Sequence, residues 1–291
     1  VNNKVVIMKN FLKNGKYWIE KDIDNAYLAF CIDYKFNNTY KSSHNLGTFL
    51  SKYGKECLFC PLNKNKLTNK LLCYALKQCP NFYTYSELGD FYFKLKKYEK
   101  SEQNYKKALE FKNDNDVLIN LSLSLYYQKK YKESIQIIKK IINNTTFDKN
   151  TLVTLYLILG FSYVLIGDEG NGNNIFEYLI VNMNINPNPD IFNFAFLLKK
   201  FNYIAQNYNK LFDEWIYSIE MIQVIYCSFL SISVKKAKDF IIEIKKKINS
   251  FIEENPSFSF DFKYDELDDI ILKKPQNKFS PDIVWRIYFM S

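Results

Sequence analysis

Apolar, aromatic and small residues recur along the chain in a pattern that predicts pairs of packed helices. The turn sequence YEKS at 98–101 returns as YKES at 131–134, an offset of 33 residues. The helix after each turn carries a large residue at the same distance, Tyr105 in the first copy and Ile138 in the second. A repeat of this length predicts stacked helix pairs, because a single pair cannot bury its apolar face alone.

A second element, Leu-Gly-x2-Tyr, carries a resemblance to a known family. It is complete at Leu88, Gly89 and Tyr92. Its other copies are Leu46-Gly47-x2-Leu50, Leu121-Ser122-x2-Leu125 and Leu159-Gly160-x2-Tyr163. The second helix of each pair carries a different element, which occurs as Thr68-x3-Leu72, Ser101-x3-Tyr105, Ser134-x3-Ile138 and Gly172-x3-Phe176. The pattern resembles the tetratricopeptide repeat, in which small residues let two helices approach closely. The resemblance implies an all-α fold, a right-handed α-α superhelix or solenoid with a C-terminal helical cap.

The resemblance also divides the chain into segments. Residues 1–39 are expected to form a degenerate N-terminal helical half-repeat, and 40–187 to form four repeats. The four repeats run at about 40–81, 82–114, 115–148 and 153–187, before a C-terminal helical capping region at 188–255 and an extended aromatic and acidic tail at 256–291. The repeat periodicity fades after position 187, and the capping region is predicted from an apolar stripe that begins at Val234 and includes Phe240 and Ile244.

Composition and charge narrow the classes of partner. The chain of 291 residues is 47% hydrophobic and carries a net charge of +9, nearly all of it from lysine. Arg286 is the only arginine, and base readout in nucleic acids usually needs arginine forks, so nucleic acid is not predicted as a partner. No signal peptide is apparent at the N-terminus, which favours a cytoplasmic location. The apolar run 151–167 is interpreted as a buried helix and not as a membrane span.

Cysteine and histidine are the candidates for chemistry. Cys57-x2-Cys60 followed by Cys73 and Cys79 suggests zinc, but the helical repeat would separate these thiols by the length of a helix. We therefore predict reduced structural cysteines, with Cys57, Cys60 and Cys73 as the metal-binding alternative. His44 is the only histidine, and no nucleophile or phosphate-binding motif accompanies it. The sequence predicts no enzyme activity and no cofactor.

The resemblance implies a concave groove lined by the first helix of each repeat, where a peptide or amphipathic helix of another protein would bind. The predicted contacts are Lys41, His44, Asn45, Thr48, Tyr83, Ser86, Asp90, Phe93, Ile119, Asn120, Leu123, Tyr126, Leu157 and Phe161. Because its far end is apolar and aromatic, this groove is expected to be an open apolar channel that needs an occupant. The occupant is either a partner protein or the chain's own C-terminal tail.

The predicted function is a non-catalytic protein-protein interaction scaffold or adaptor. Two alternatives remain from the sequence alone. The chain could be an accessory segment of a bacterial enzyme system such as sugar transfer, which the N-terminal stretch 14–30 resembles. It could also be a peptide-sensing regulator. The sequence supports no prediction of the oligomeric state.

Overall fold

The computed structural model describes residues 15–186, 188–211 and 219–254, and the regular elements within these ranges are all helical. The all-α prediction is confirmed. Contacts divide the chain into two compact units, unit 1 at Val1–Glu133 and unit 2 at Ser134–Ser291. The first residues of the predicted half-repeat and the whole predicted tail at 256–291 lie outside the described residues.

Unit 1 is built from helices that pack against their neighbours in sequence. The helices are α1 Gly15–Ile19, α2 Ile23–Asn37, α3 Tyr40–Tyr53, α4 Lys64–Gln78, α5 Phe82–Lys94, α6 Tyr98–Phe111 and α7 Asn115–Tyr127. Helix α3 packs on α4, α5 on α6, and α6 on α7. This succession of paired helices is the arrangement that the repeat pattern predicts.

Side-chain caps fix where several of these helices begin. Thr39 and Ser42 form a capping box at the start of α3, in which each side chain pairs with the other residue's backbone N–H. Asn81 accepts from the N–H of Thr84 at the start of α5, and Asp114 caps α7 in the same way. These caps satisfy N–H groups that have no partner inside the helix, so the local sequence sets the phase of each repeat.

The contact between α5 and α6 explains the small and aromatic residues of the repeat. Tyr105 is 1% exposed, and its ring occupies the space that a side chain on Gly89 would need. Its hydroxyl donates to Asp90 Oδ1 at 2.6 Å. Ser101 Oγ donates to the carbonyl oxygen of Gly89 at 2.9 Å and lies 3.0 Å from Ser124 Oγ. The repeat positions are therefore packing positions that hold the two helices at close distance.

Unit 2 continues the helical architecture, and helix α8 begins just before it. Its elements are α8 Tyr131–Asn144, α9 Lys149–Leu165, α10 Glu169–Glu177, a π-helical turn Tyr178–Asn182, α11 Pro189–Leu197, α12 Phe201–Asn207, a 3-10 turn Tyr208–Leu211, α13 Ile219–Ile232 and α14 Val234–Glu254. Helix α9 packs on α10 and α11, α11 on α12, and α13 on both α12 and α14.

Four connections between successive helices share one kind of turn, and two of these turns lie in each unit. The second residue after the first helix has a positive φ in each: Lys96 at 56°, Lys129 at 63°, Gly167 at 85° and Lys199 at 58°. The next N–H returns to a carbonyl five residues back, as Lys97 does to Tyr92 at 2.9 Å and Lys200 to Ala195 at 2.8 Å. This is the Schellman geometry that ends a helix. The fourth turn joins α11 to α12, so a pair of the same kind follows position 187, where the periodicity was expected to fade.

The positive φ in this turn predicts opposite effects of two substitutions on the stability of the protein. Lys129→Gly is expected to leave stability unchanged or raise it by up to about 1 kcal/mol, because glycine adopts a positive φ without steric cost. Gly167→Ala is expected to lower stability by about 1 kcal/mol, although nothing lies within 4 Å of the added methyl group. Urea unfolding of both variants measures this. Changes of the same sign would contradict the turn assignment.

The apolar run 151–167 forms helix α9 within unit 2. Leu155 and Leu159 are buried, and a side chain on Gly160 would overlap the ring of Phe194 in α11. Among the described residues, no helix combines the length and the apolar character that crossing a bilayer requires. The run is apolar because α9 packs against neighbouring helices.

Helix α14 shows the apolar stripe predicted for the capping region. Ala237, Phe240, Ile244 and Ile248 are each at most 2% exposed, at helical spacing. Val234 is 59% exposed, so the prediction that it belongs to the buried stripe is wrong. It is the first residue of the helix, where the chain turns from α13.

Candidate functional site

The fourteen predicted groove residues fall into two groups by exposure. Lys41 and Tyr83 are exposed, and six others are half-buried. The half-buried residues are His44, Asn45, Thr48, Ser86, Asp90 and Asn120. All of these lie on α3, α5 and α7 of unit 1, where they stay candidates for binding. The remaining six residues are buried.

The buried group corrects the expectation of an open apolar channel. Its members are Phe93, Ile119, Leu123, Tyr126, Leu157 and Phe161, each at most 7% exposed. Aromatic pairing explains part of this burial. Within unit 1 the Phe93 ring lies 5.3 Å from that of Tyr98, and within unit 2 the Phe161 ring lies 5.1 Å from that of Phe194. These side chains fill space between helices, and they do not line an open surface.

The polar residues of α3 and α5 form one connected surface, which we call the polar face. It comprises Thr48, Ser51 and Lys52 of α3, with Glu87, Asp90 and Lys94 of α5. Lys52 Nζ lies 3.0 Å from Glu87 Oε1, and Lys94 Nζ lies 3.4 Å from the carbonyl oxygen of Ser51. Burial lowers the pKa of Lys52, but Glu87 outweighs that effect and the net pKa is raised. Lys52 is therefore held as a cation within the polar face.

Asp90 joins the polar face to the next helices. Its Oδ1 accepts from the Tyr105 hydroxyl at 2.6 Å and from Asn120 Nδ2 at 3.2 Å. Burial raises the pKa of Asp90, while the hydrogen bond from Tyr105 acts in the opposite direction. Because the same residue bonds to α6 and α7, its side chain is fixed in position. Asp90 is thus a rigid acceptor at the edge of the polar face.

His44 serves the packing between α3 and α5. Its Nδ1 lies 3.1 Å from Thr84 Oγ1, which also contacts the capping residue Asn81. Burial lowers the pKa of His44, and the nearby Lys52 lowers it further. The ring is therefore neutral at physiological pH. The Thr84 hydroxyl that it contacts is also hydrogen-bonded to Asn81, so this contact ties α3 to the capped start of α5.

Three polar atoms of the polar face are buried without a hydrogen-bond partner. They are Thr48 Oγ1, Ser51 Oγ and Glu87 Oε2. A buried polar atom without a partner costs about 1–3 kcal/mol, and most proteins leave few of them. Thr48 and Ser51 are one turn apart on α3, and Glu87 faces them from α5 through its ion pair with Lys52. Because these three atoms are closed to solvent, the candidate binding site consists of the accessible groups of the polar face, chiefly the partly exposed Glu87 side chain and the exposed Lys94.

The cysteines occupy structural positions. Cys57 is 6% exposed and packs with Ala26 and Phe49, and Cys60 lies against the same cluster. Cys73 lies on α4, where its thiol contacts Asn69 Oδ1 at 3.8 Å. Within the described ranges no three His, Cys, Asp or Glu side chains are placed to hold a metal ion. Burial raises the pKa of Cys73, which favours the thiol form.

Comparison with solved structures identifies the fold. The chain superposes on a tetratricopeptide repeat protein from Parabacteroides merdae with a TM-score of 0.61 and 16% sequence identity, over 91% of this chain and 97% of the other. The chain has the tetratricopeptide-repeat fold. A second solved structure, pilF of Pseudomonas aeruginosa, superposes with a TM-score of 0.51 and 12% identity, over 81% of this chain and 97% of the other. No protein family model and no curated protein matches the sequence.

Within this fold, sequence reasoning missed four members of the polar face: Ser51, Lys52, Glu87 and Lys94. A usable signal was present, because residues three or four apart share one face of a helix. Ser51 follows Thr48 at that spacing, and Glu87 precedes Asp90 at that spacing. The sequence gives no signal for the ion pair between Lys52 and Glu87, because the two residues lie on different helices and are 35 positions apart.

Proposed function

We propose that the protein is a non-catalytic interaction scaffold that binds a segment of a partner protein at the polar face of unit 1. The observation that carries this proposal is the pair of carboxylates on one face of α5, Glu87 and Asp90, of which the Glu87 side chain is 15% exposed. A polypeptide segment offers N–H and C=O groups at short intervals. Its N–H groups can therefore donate to the two carboxylates together.

Charge at the polar face supports a polypeptide over an ion or an apolar ligand. Two lysines and two carboxylates alternate across it, Lys52 and Lys94 with Glu87 and Asp90. This balance gives no strong preference for one sign of charge. An apolar ligand would cover these charged groups without giving them partners. Mixed donors and acceptors match the backbone of a bound segment.

The exposed neighbours extend the proposed surface. Tyr83 is 68% exposed at the start of α5, and the Phe82 and Tyr83 rings lie 5.3 Å apart in an edge-to-face arrangement. Exposed tyrosines of this kind are frequent anchors in protein interfaces, because they offer contact area and a hydroxyl group. We propose that Tyr83 and Lys41 contact the bound segment beside the polar face.

Quantitative pull-down from source lysate tests the proposal with three variants of the full chain. Glu87→Gln keeps the shape but removes the negative charge of the acceptor, and it is expected to reduce the retained partner about tenfold. Lys52→Met removes the same ion pair and leaves Glu87 Oε2 in place, so it is expected to retain the partner, since such half-exposed pairs contribute little. Glu110→Gln on the exposed side of α6 is the matched control.

The same experiment distinguishes acceptor loss from unfolding. Melting temperatures of the three variants are measured beside the pull-down. Equal partner recovery from Glu87→Gln and Glu110→Gln, with all variants folded, would refute binding at the polar face. Deleting residues 256–291 tests the other predicted occupant: a rise in partner recovery would indicate that the chain's own tail competes for the surface.

A further inference from the structure

Helix α11 of unit 2 carries two buried polar side chains that have no partner. Asp190 is 3% exposed and Asn193 is 4% exposed. Among the described residues neither side chain forms a hydrogen bond or an ion pair. The two residues are three positions apart, so they lie next to each other on one face of the helix. A carboxyl and an amide thus sit side by side with unused hydrogen-bonding capacity.

The surroundings of this pair are apolar and well packed. Ile191, Phe192 and Phe194 are fully buried at 0% exposure. The Phe194 ring lies 5.1 Å from Phe161 of α9 and 5.7 Å from Phe176 of α10. Because these rings hold α11 in place, the helix cannot rotate to expose its polar pair further. The position of Asp190 and Asn193 is therefore set by the apolar packing of their neighbours.

The favourable interaction with the helix dipole does not by itself explain a buried carboxylate at position 190. A carboxylate in the first turn is favoured by the helix dipole, and several helices of the chain use one. The other first-turn acids in α6, α7, α8 and α10 are exposed: Glu99, Asp116, Glu133 and Glu169. Asp190 is buried, and burial raises its pKa to about 6 with no other cause acting on it. The exposed acids of the other helices thus interact with a helix dipole without the cost of desolvation that Asp190 incurs.

The polar atoms of the pair remain reachable. Thr68 Oγ1 of unit 1 is an example of an atom that is sealed off without a partner. Asp190 and Asn193 also lack partners, yet none of their polar atoms is sealed in that way, so their tips keep contact with solvent. The small exposed part of the two side chains, 3% of Asp190 and 4% of Asn193, is what a group from outside can contact.

We infer that Asp190 and Asn193 form a recognition site for a cationic N–H donor, the guanidinium of an arginine or the ammonium of a lysine on a bound polypeptide segment. Such a group places one or two N–H donors on the carboxylate and another on Asn193 Oδ1. An anion would be repelled by Asp190. An apolar group would leave both side chains unsatisfied. The site lies on unit 2 and does not depend on the polar face of unit 1.

The site explains why the chain keeps a costly residue. An ionised carboxylate without a counter-charge is destabilising in an apolar environment, and a bound cation removes that penalty. The same desolvation strengthens the attraction to the cation when it arrives. Stability of the free protein is then lower than it would be with an asparagine at this position, which is a common cost of a binding site.

Three capped tripeptides of alanine, with arginine, lysine or citrulline at the centre, test the site by NMR on the full chain. Citrulline keeps the shape of arginine and removes its charge. At about pH 7.5 the arginine and lysine peptides are expected to shift the Asn193 side-chain amide saturably at millimolar concentration and to lower the pKa of Asp190. The citrulline peptide is expected to bind about tenfold more weakly or not at all.

Two variants complete the test. Asp190→Asn keeps the size of the side chain and is expected to lose the response to both cationic peptides. Asp239→Asn makes the same chemical change on the exposed side of α14 and is expected to retain it. Equal responses to arginine and citrulline peptides, no saturable shift with either cationic peptide, or an unchanged response in Asp190→Asn would each overturn the inference. If the Asp190→Asn variant still binds a partner at the polar face, failure of this inference is distinguished from failure of the proposed function.

Discussion

Replacing Gly89 with alanine is expected to destabilise unit 1 by about 1–3 kcal/mol, net of the better helix propensity of alanine. The added methyl group would overlap the ring of Tyr105. That ring cannot move aside easily, because Tyr105 is 1% exposed and its hydroxyl donates to Asp90. Either α5 and α6 must separate or the hydrogen bond must break. Both changes would also disturb Asp90 at the polar face.

Gly170→Ala is the matched control for this prediction. Its methyl group would meet only Asp168 Oδ1 at 3.8 Å, on the exposed first turn of α10. The substitution is expected to be neutral or stabilising by up to about 1 kcal/mol, as glycine to alanine is in an open helix. Urea unfolding followed by circular dichroism measures both variants. Equal effects of the two substitutions would show that close helix approach at Gly89 does not limit stability.

The stability of unit 2 is expected to fall by about 2–3 kcal/mol as the pH rises from about 4 to about 6, through the contribution of Asp190. Burial raises the pKa of Asp190 to about 6 in the folded protein, against an ordinary value of 3.8. The folded state therefore binds this proton more tightly than the unfolded state. The contribution to stability is fully present below the ordinary pKa and is lost once the pH exceeds about 6.

Asp190→Asn isolates that contribution from other titrating groups. The variant and the wild type are expected to have the same stability near pH 4, where Asp190 is neutral. Above about pH 6 the variant is expected to be more stable by about 2 kcal/mol, because the amide carries no charge to desolvate. Asp239→Asn on an exposed position should show no such divergence. Parallel pH profiles of the wild type and Asp190→Asn, measured by calorimetry, would contradict the assignment.

The sequence predicts the helix pairs well because their packing is encoded locally. Gly89, Ser101 and Tyr105 stand at fixed spacing and meet at one contact between α5 and α6. The pair formed by α11 and α12 was missed, although LKKF at 198–201 repeats LKKY at 95–98. Its first helix is short, and Phe192 stands where the repeat usually has a small residue. Without the Leu-Gly element, the remaining turn signal was too brief to detect.

The candidate site was predicted less completely because it depends on contacts between helices. Thr48 and Asp90 were predicted from their place on the first helix of each repeat. The ion pair of Lys52 with Glu87 joins two helices, and periodicity gives no information about such a pair. Burial was the other missing quantity. Phe161 is apolar at a groove position, but its contact with Phe194 makes it a packing residue.

Site-specific photo-crosslinking tests most directly whether the polar face binds a partner. A benzophenone amino acid at Ser86, which shares a helix face with Asp90, is compared with the same group at Gln103 on the exposed side of α6. We expect one discrete crosslinked partner from Ser86 in source lysate, absent from Gln103 and reduced when Glu87→Gln is added. No crosslinked species from Ser86, or the same species from both positions, would contradict binding at the polar face.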